Sequence, residues 1–426
     1  MNIVRIIKSV YRPIRDLLLD VTHVVLGLVP KRKNLIVLTS WFGERYADNT
    51  MYLFEYLLGC NKNVVWATKN KNVYKELKAR NLPVLDEKTL KGLWLILRAE
   101  CLISTIQLSD YNKRLLTKCV FVDLDHGIPF KQAGYAIVSN DNAYLKKRDA
   151  LVAKRIRYYL TATSYPCAIM LSKIYNVPME RIILTGKPRD DVFFEKSLLT
   201  LSEKFERLIA GRKVITYMPT HRNCGREALN IDQHLDFEYI NNLCQMNGYL
   251  FLIKKHFYHK NETVNNSSYE NIIDITEFEL DSQYLLYKTD VLITDYSSVC
   301  PEFLLLNRPV ILYPYDLKHY LEYDRDLFFP MEKISFVDKP MTIHELNKSL
   351  YDVISGKDPY RESRMKFKKL FFDESIANSS SRNNVKTALE EIMNNPSYVF
   401  NWNEYKDKYK DKELIEMINN LESALV

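Results

Sequence analysis

Four short polar clusters, each closing an apolar run, hold the residues able to do chemistry. DLDHGIPFKQAGY, 123–135, sets His126 before Gly127 and carries Lys131 in the same loop. YMPTHRN, 217–223, offers Thr220, His221 and Arg222 together. LIKKHFYHK, 252–260, ends an apolar run on Lys254, Lys255 and His256. LITDYSSVCPEFLLLNRPVILYPYD, 292–316, runs from an apolar strand into Asp295, Ser297 and Ser298. It continues as YPYDLKHYLEYDRDLFF, 313–329, which contains Arg325. Histidine can take a proton near neutral pH. Arginine and lysine neutralise phosphate, arginine in a two-pronged fashion. Hydroxyls and free backbone N–H groups at a helix start suit phosphate oxygens. Such a set can deprotonate an alcohol and neutralise a diphosphate, as transfer from a nucleotide-diphosphate donor requires. No Walker loop, GxGxxG, GxSxG or metal-spaced acid pair occurs, so no metal site is expected.

Each cluster also has a structural reading. Asp295 and the serines can cap the following helix. His126 can be a satisfied structural histidine, and Lys254-Lys255 a solvated charge run. Arg325, among Glu322, Asp324 and Asp326, can be a surface ion pair of little worth. Position favours function: in open α/β sheets ligands sit at the carboxyl ends of strands.

The elements that must position these clusters are short, continuous apolar runs separated by helix-length segments. That pattern marks a parallel sheet covered on both faces. Strands are predicted at 34–39, 63–68, 101–105, 119–123, 158–163 and 181–185. A second set is predicted at 213–218, 249–254, 271–275, 290–294 and 309–313. GKPRDDVFF, 186–194, with Gly186, Pro188 and Arg189, breaks the pattern between the sets. The reading is α/β with two Rossmann-like doubly wound domains, 34–204 and 205–375, facing a cleft. A charged helical tail, 376–426, is expected to pack back on the body.

The 426 residues suit two domains. The net charge of +7 suits an anionic partner without a basic run of nucleic-acid type. Seven scattered cysteines without metal spacing, and no cleavable signal peptide, point to a reducing cytoplasm. No stretch reaches the roughly 18 apolar residues of a membrane span. The N-terminus, 1–33, reads as an amphipathic helix with Arg5, Lys8, Arg12 and Arg15 on its basic face. With Lys31-Arg32-Lys33 behind it, this segment is expected at an anionic membrane surface.

Several of these stretches are similar to elements of one known family. DHGIPFKQAG resembles the HGTPLK-type element of the CDP-glycerol glycerophosphotransferases, the teichoic acid primases and polymerases. YMPTHRN resembles that family's Y-x-P-T-x-R element and GKPRDDVF its G-x-P-R-x-D element. LITDYSSVCPEFLLLNRPVILYPYDL is close to its longest signature, and SWFGERYADNTMYLFEYL, 40–57, is similar to its first strand and loop. The elements stand in the family's order and cover about 40–330.

The resemblance implies a GT-B fold and transfer of glycerol phosphate from CDP-glycerol to an alcohol, with release of CMP. CDP-ribitol is an alternative donor. It makes His126 the general base and His256 a contact of the donor phosphates. Arg325, Asp295, Ser297 and Ser298 become donor-binding, joined by Thr220, Arg222 and Lys255, with Gly127, Lys131, Gly186, Pro188 and Arg189 in supporting loops. The implied setting is the cytoplasmic face of a bacterial membrane, with a lipid-linked or polymer acceptor, in teichoic-acid-like or capsular polymer synthesis, without nucleic acid. Three departures stand out: Ile128 for threonine, His221 where an aromatic is common, and Asp326 for glycine after Arg325. The competing reading is a GT-B glycosyltransferase using a nucleotide sugar.

Overall fold

The computed structural model describes residues 21–137, 152–199, 202–266, 268–377 and 379–423. Its first sheet has seven strands: β1 (Arg32–Leu38), β2 (Val64–Thr68), β3 (Val84–Asp86), β4 (Ala99–Ser104), β5 (Val120–Asp123), β6 (Arg157–Ala162) and β7 (Ile182–Leu184). Their order is β3-β2-β1-β4-β5-β6-β7. The second sheet has five: β8 (Lys213–Met218), β9 (Tyr249–Ile253), β10 (Ile272–Asp274), β11 (Val291–Thr294) and β12 (Val310–Leu312), in the order β10-β9-β8-β11-β12. Every pairing between these strands is parallel. Two Rossmann-like sheets of this kind give a GT-B-like fold.

The strands are apolar on both faces because both faces are covered. Ile36, Leu38, Cys101, Ile103, Val120 and Val122 belong to one core layer of the first sheet. Their neighbours Leu35, Val37, Leu102, Cys119 and Phe121 belong to the opposite layer. Alternation of the backbone with period two sends successive side chains to opposite layers. Strand β3 is absent from the sequence expectation: three residues are too few to show a period.

Each sheet reverses its strand order once, between β1 and β4 and between β8 and β11. These reversals open crevices at the strands' carboxyl ends, where ligands bind in such sheets. The loop after β1 runs to α1 (Asp48–Gly59), and the loop after β11 runs to α2 (Val299–Phe303). The YMPTHR and TDYSS stretches therefore flank the second reversal.

The chain's last part joins both sheets. Helix α3 (Ser381–Asn394) sends Val385, Leu389 and Ile392 into the layer that holds Ile36 and Leu38. Helix α4 (Lys412–Ser423) places Leu414, Met417, Ile418 and Leu421 in a core shared with Leu160, Phe329 and Phe371. Asp191 caps α3, accepting from Ser381 N at 2.8 Å, Arg382 N at 3.1 Å and Arg382 Nε at 2.8 Å. Gly186, at φ +79°, permits this approach: a Cβ there would collide with Ser381 Oγ.

Residues 1–20 of the expected N-terminal helix lie outside the described residues. From 21 to 26 the chain is helical. His23 is buried, while Val21, Val24, Val25 and Leu28 are exposed. Lys31, expected as part of a basic anchor, instead donates to Leu97 O at 2.6 Å. Only Arg32 and Lys33 of that triplet are exposed.

Candidate active site

His126 follows β5 on a turn whose preceding residue, Asp125, is left-handed at φ 57°. That turn folds Asp125 back under the ring. His126 Nδ1 lies 3.1 Å from Asp125 Oδ1, and its backbone N–H donates to the same oxygen at 2.8 Å. Tyr175 O–H donates to that oxygen at 3.0 Å, and Asn49 Nδ2 holds the Asp125 carbonyl at 2.7 Å. The carboxylate is thereby fixed, and its own pKa is driven below the usual range: bonding to His126 outweighs burial. Burial pulls the His126 pKa down, but the bond to Asp125 and its charge outweigh this and raise it. With Nδ1–H directed at Asp125, Nε2 is the nitrogen left to accept a proton. The ring is 47% exposed and meets the edge of Trp41 at 5.8 Å between centroids.

The same loop continues to Lys131 and pairs with the second domain. Lys131 forms an antiparallel bridge with Leu327, Gln132 N donates to Asp326 O at 2.8 Å, and Phe328 N donates to Phe130 O at 3.2 Å. This short ribbon brings Lys131 alongside Arg325. Gly127 is needed where the loop passes the second domain, since a Cβ would sit 3.0 Å from Ser298 Oγ. Deeper, Arg189 joins the two walls. It pairs with Asp48 at 3.0 Å and with Glu302 of α2, which also accepts from Gln283 Nε2 at 2.9 Å.

On the opposite wall, His256 stands at the end of β9. Its Nδ1 accepts from Tyr258 N at 3.3 Å, and its ring contacts His221 at 4.9 Å and Phe257 at 4.3 Å. Burial, then the charges of His221, Lys131, His259 and Arg45, lower its pKa to about 3. His221 is lowered to about 4 by burial and Lys131, with Arg325 adding to the effect. Burial and Arg325 lower Lys131 to about 8. The ring contact between His221 and His256 and the ribbon that sets Lys131 beside Arg325 form one electropositive space, where burial and the neighbouring cations favour the neutral form of both histidines.

The acids nearby are already engaged. Asp295 accepts from Thr220 N at 2.8 Å, Tyr296 N at 2.6 Å and Arg222 Nη2 at 2.8 Å. Asp316 takes Arg222 Nε at 2.6 Å and Tyr296 O–H at 2.9 Å. Asp324 takes Asn223 N at 2.9 Å and Arg325 Nε at 3.0 Å. Among the described residues, Lys131 Nζ, the Nη groups of Arg325 and His256 Nε2 have no hydrogen-bond or ion-pair partner. Donors converge here without acceptors, so the space is built for an anion.

Three expected donor ligands are placed otherwise. Arg222 is buried, with its guanidinium tied to Asp295, Asp316 and the Thr220 carbonyl and stacked among Tyr296, Tyr315 and Tyr320. Asp295 is its buried partner. The two lock the loops after β8 and β11 together and present no free group to a phosphate. Lys255 turns inward, to Asp274 at 2.8 Å and the Glu262 carbonyl. It leaves β9 on the side opposite His256, as alternation along an extended chain requires. Thr220 sits beside this lock with Oγ1 buried and unpartnered. Ser297 and Ser298 are half-buried at the start of α2. Arg325 pairs with Asp324 rather than Asp326, so the departure from glycine leaves its Nη groups free.

Sequence reasoning singled out His221 but gave it no role, and it passed over Trp41 and Arg45. Arg45 is exposed and lies over Trp41 at 5.2 Å and over Phe257 at 5.9 Å, spanning the cleft mouth. Trp41 and Phe42 are both left-handed, at φ 48° and 61°. Phe42 N donates to Asp110 Oδ1 at 2.6 Å, and Lys69 Nζ holds the Phe42 carbonyl at 2.8 Å. Such paired left-handed residues carry no sequence mark beyond the neighbouring Gly43. Among the described residues no cluster of metal-ligating side chains occurs.

Comparison with known proteins bears on the family and the fold. The family model for CDP-glycerol:poly(glycerophosphate) glycerophosphotransferase matches residues 22–388. A teichoic acid glycerol-phosphate transferase of Staphylococcus aureus is 26% identical over 392 residues, 86% of this chain and 95% of the relative. A teichoic acid ribitol-phosphate primase of Bacillus spizizenii is 25% identical over 409 residues, 89% of this chain and 95% of the relative. The solved wall teichoic acid polymerase TagF superposes with a TM-score of 0.68 at 20% identity, covering 92% of this chain and 99% of that one.

Proposed function

The chain belongs to the CDP-glycerol:poly(glycerophosphate) glycerophosphotransferase family of teichoic acid enzymes, and on that premise we propose that it transfers glycerol phosphate from CDP-glycerol to an alcohol and releases CMP. The observation that carries the reading is the set of donors left free at the strand tips, Lys131 Nζ, the Arg325 Nη groups and His256 Nε2, with Lys131 on the same loop as His126. His126 Nε2 takes the proton of the acceptor hydroxyl as its oxygen attacks the phosphorus that carries the polyol. The bond from that phosphorus to the bridging oxygen breaks, and CMP departs with the electron pair. Lys131 and Arg325 neutralise the charge that builds on the phosphate oxygens, at positions fixed before the reaction. Asp125 holds the ring in place and stabilises the imidazolium. A general base of this kind contributes roughly 10²–10⁴-fold.

The acceptor in this reading is a lipid-linked or polymer alcohol at the cytoplasmic face of the membrane, and the product a teichoic-acid-like or capsular polymer. Support comes from the exposed apolar residues Val21, Val24, Val25 and Leu28, followed by exposed Arg32 and Lys33. Among the described residues no helix is long and apolar enough to cross a membrane. Ribitol is the second candidate polyol, because relatives that cover similar shares of the chain are named for each polyol.

Nucleotide release tests the reading. The purified protein is incubated with CDP-glycerol, CDP-ribitol, UDP-glucose and GDP-mannose, each with a membrane acceptor. CMP from CDP-glycerol is expected. CMP from CDP-ribitol alone changes the polyol, and UDP or GDP moves the chain to sugar transfer.

A further inference from the structure

Two neighbouring polar side chains at the tip of β8 have no partner. Thr220 Oγ1 and His221 Nδ1 are both buried, and neither makes a hydrogen bond. The other nitrogen of His221 makes none either among the described residues. Buried polar atoms are nearly always paired, and exceptions cluster where a ligand completes the bonding. The ring is not loose: it meets the edges of His256 at 4.9 Å and Tyr258 at 5.3 Å. Tyr258 in turn is seated against Gly225, where a Cβ would lie 2.6 Å from its own Cβ.

The surroundings define what such a ligand must be. The positive charges of Lys131 and Arg325 act on His221, and the nearby acid Asp324 is already engaged by Asn223 and Arg325. A neutral alcohol would leave those cations unneutralised, whereas a phosphate oxygen would satisfy the ring and them together. Lys131 belongs to the loop of His126, and that loop touches Ser298 at Gly127. The phosphoryl group attacked by the activated hydroxyl has to lie on this side of the cleft. The CMP phosphorus lies two bonds further on, beyond the bridging oxygen.

We propose that His221 binds the transferred phosphoryl group, donating a ring N–H to one of its oxygens beside the Thr220 hydroxyl. This rests on the function proposed above. His221 thereby distinguishes a diphosphate donor from the CMP product, holding the first and releasing the second.

Binding without acceptor tests it, by calorimetry with CMP, CDP and CDP-glycerol on wild type, His221→Phe and His221→Asn. Phe keeps the ring contacts but has no donor, while Asn sets an amide N–H near the place of Nδ1. His221→Phe is expected to bind CDP and CDP-glycerol about tenfold more weakly, the loss of one hydrogen bond to a charged group. CMP affinity should stay within about twofold, which also verifies the fold, and Asn should recover most of the loss. Equal weakening of CMP would overturn the assignment, as would unchanged CDP-glycerol affinity in His221→Phe. Wild-type preference for CDP-glycerol over UDP-glucose reports on the underlying function separately. If that preference holds while His221→Phe binds normally, only the His221 assignment falls.

Discussion

Replacing Asp125 by asparagine isolates the charge behind the general base. The asparagine oxygen can keep the bonds from His126 N and Tyr175 O–H, 2.8 and 3.0 Å in the parent, so geometry is preserved. What is lost is the attraction between the carboxylate and the imidazolium that forms during transfer. For unit charges at the observed 3.1 Å, Coulomb's law gives about 5 kcal/mol at an effective dielectric of 20 and about 1.3 in bulk water. The ring is 47% exposed, so the screened end governs: about 1–2 kcal/mol, or roughly 5–30-fold in kcat. His126→Ala removes the base altogether and is expected to cost about 10²–10⁴-fold. The pH profile adds a sign. His126 cannot accept a proton while protonated, so activity rises with pH through its pKa. Asp125 raises that pKa, placing the rise above the usual histidine value of 6.5, so Asp125→Asn must move it to lower pH. The assay is CMP release from CDP-glycerol between pH 5 and 9, as kcat and kcat/KM. An unmoved acid limb in Asp125→Asn, or near-normal turnover in His126→Ala, would refute the assignment.

Arg325→Ala should weaken CDP-glycerol binding by about 1.5–3 kcal/mol, the worth of a hydrogen bond to a charged group, and calorimetry giving parent affinity would return it to a surface ion pair. Arg222→Met should lower stability by about 3–5 kcal/mol because it strands Asp295 in the interior, and a denaturation midpoint matching the parent would show that the lock is dispensable. In the double variant Arg222→Met with Asp295→Leu, the loss should shrink well below the sum of the single losses. Serine at Val24, Val25 and Leu28 should reduce flotation with anionic liposomes while leaving CDP-glycerol affinity intact; unchanged flotation would place the membrane contact elsewhere.

The sequence alone carried the architecture. Runs such as NLIVLT and CVFVD are apolar without interruption, and only a strand covered on both faces calls for that. Their spacing by helix-length segments forced parallel sheets. The polar tips, with His126 before Gly127 and Asp295 before the serines, marked the ends that face a ligand. Tertiary structure alone decided which polar residues meet. Arg222 and Lys255 look like free phosphate ligands in sequence, yet Arg222 finds Asp295 and Asp316, 73 and 94 residues away. Lys255 finds Asp274 on the neighbouring strand. A buried charge must be paired, and the pairing depends on which strand tips the sheet order sets side by side. Lys131 Nζ and the Arg325 Nη groups keep free donors because those pairings, with Asp324 on Arg325 Nε, engage the nearby acids. Local sequence fixes where a charge stands along the chain, and only the packed sheets decide whether it is left free to bind.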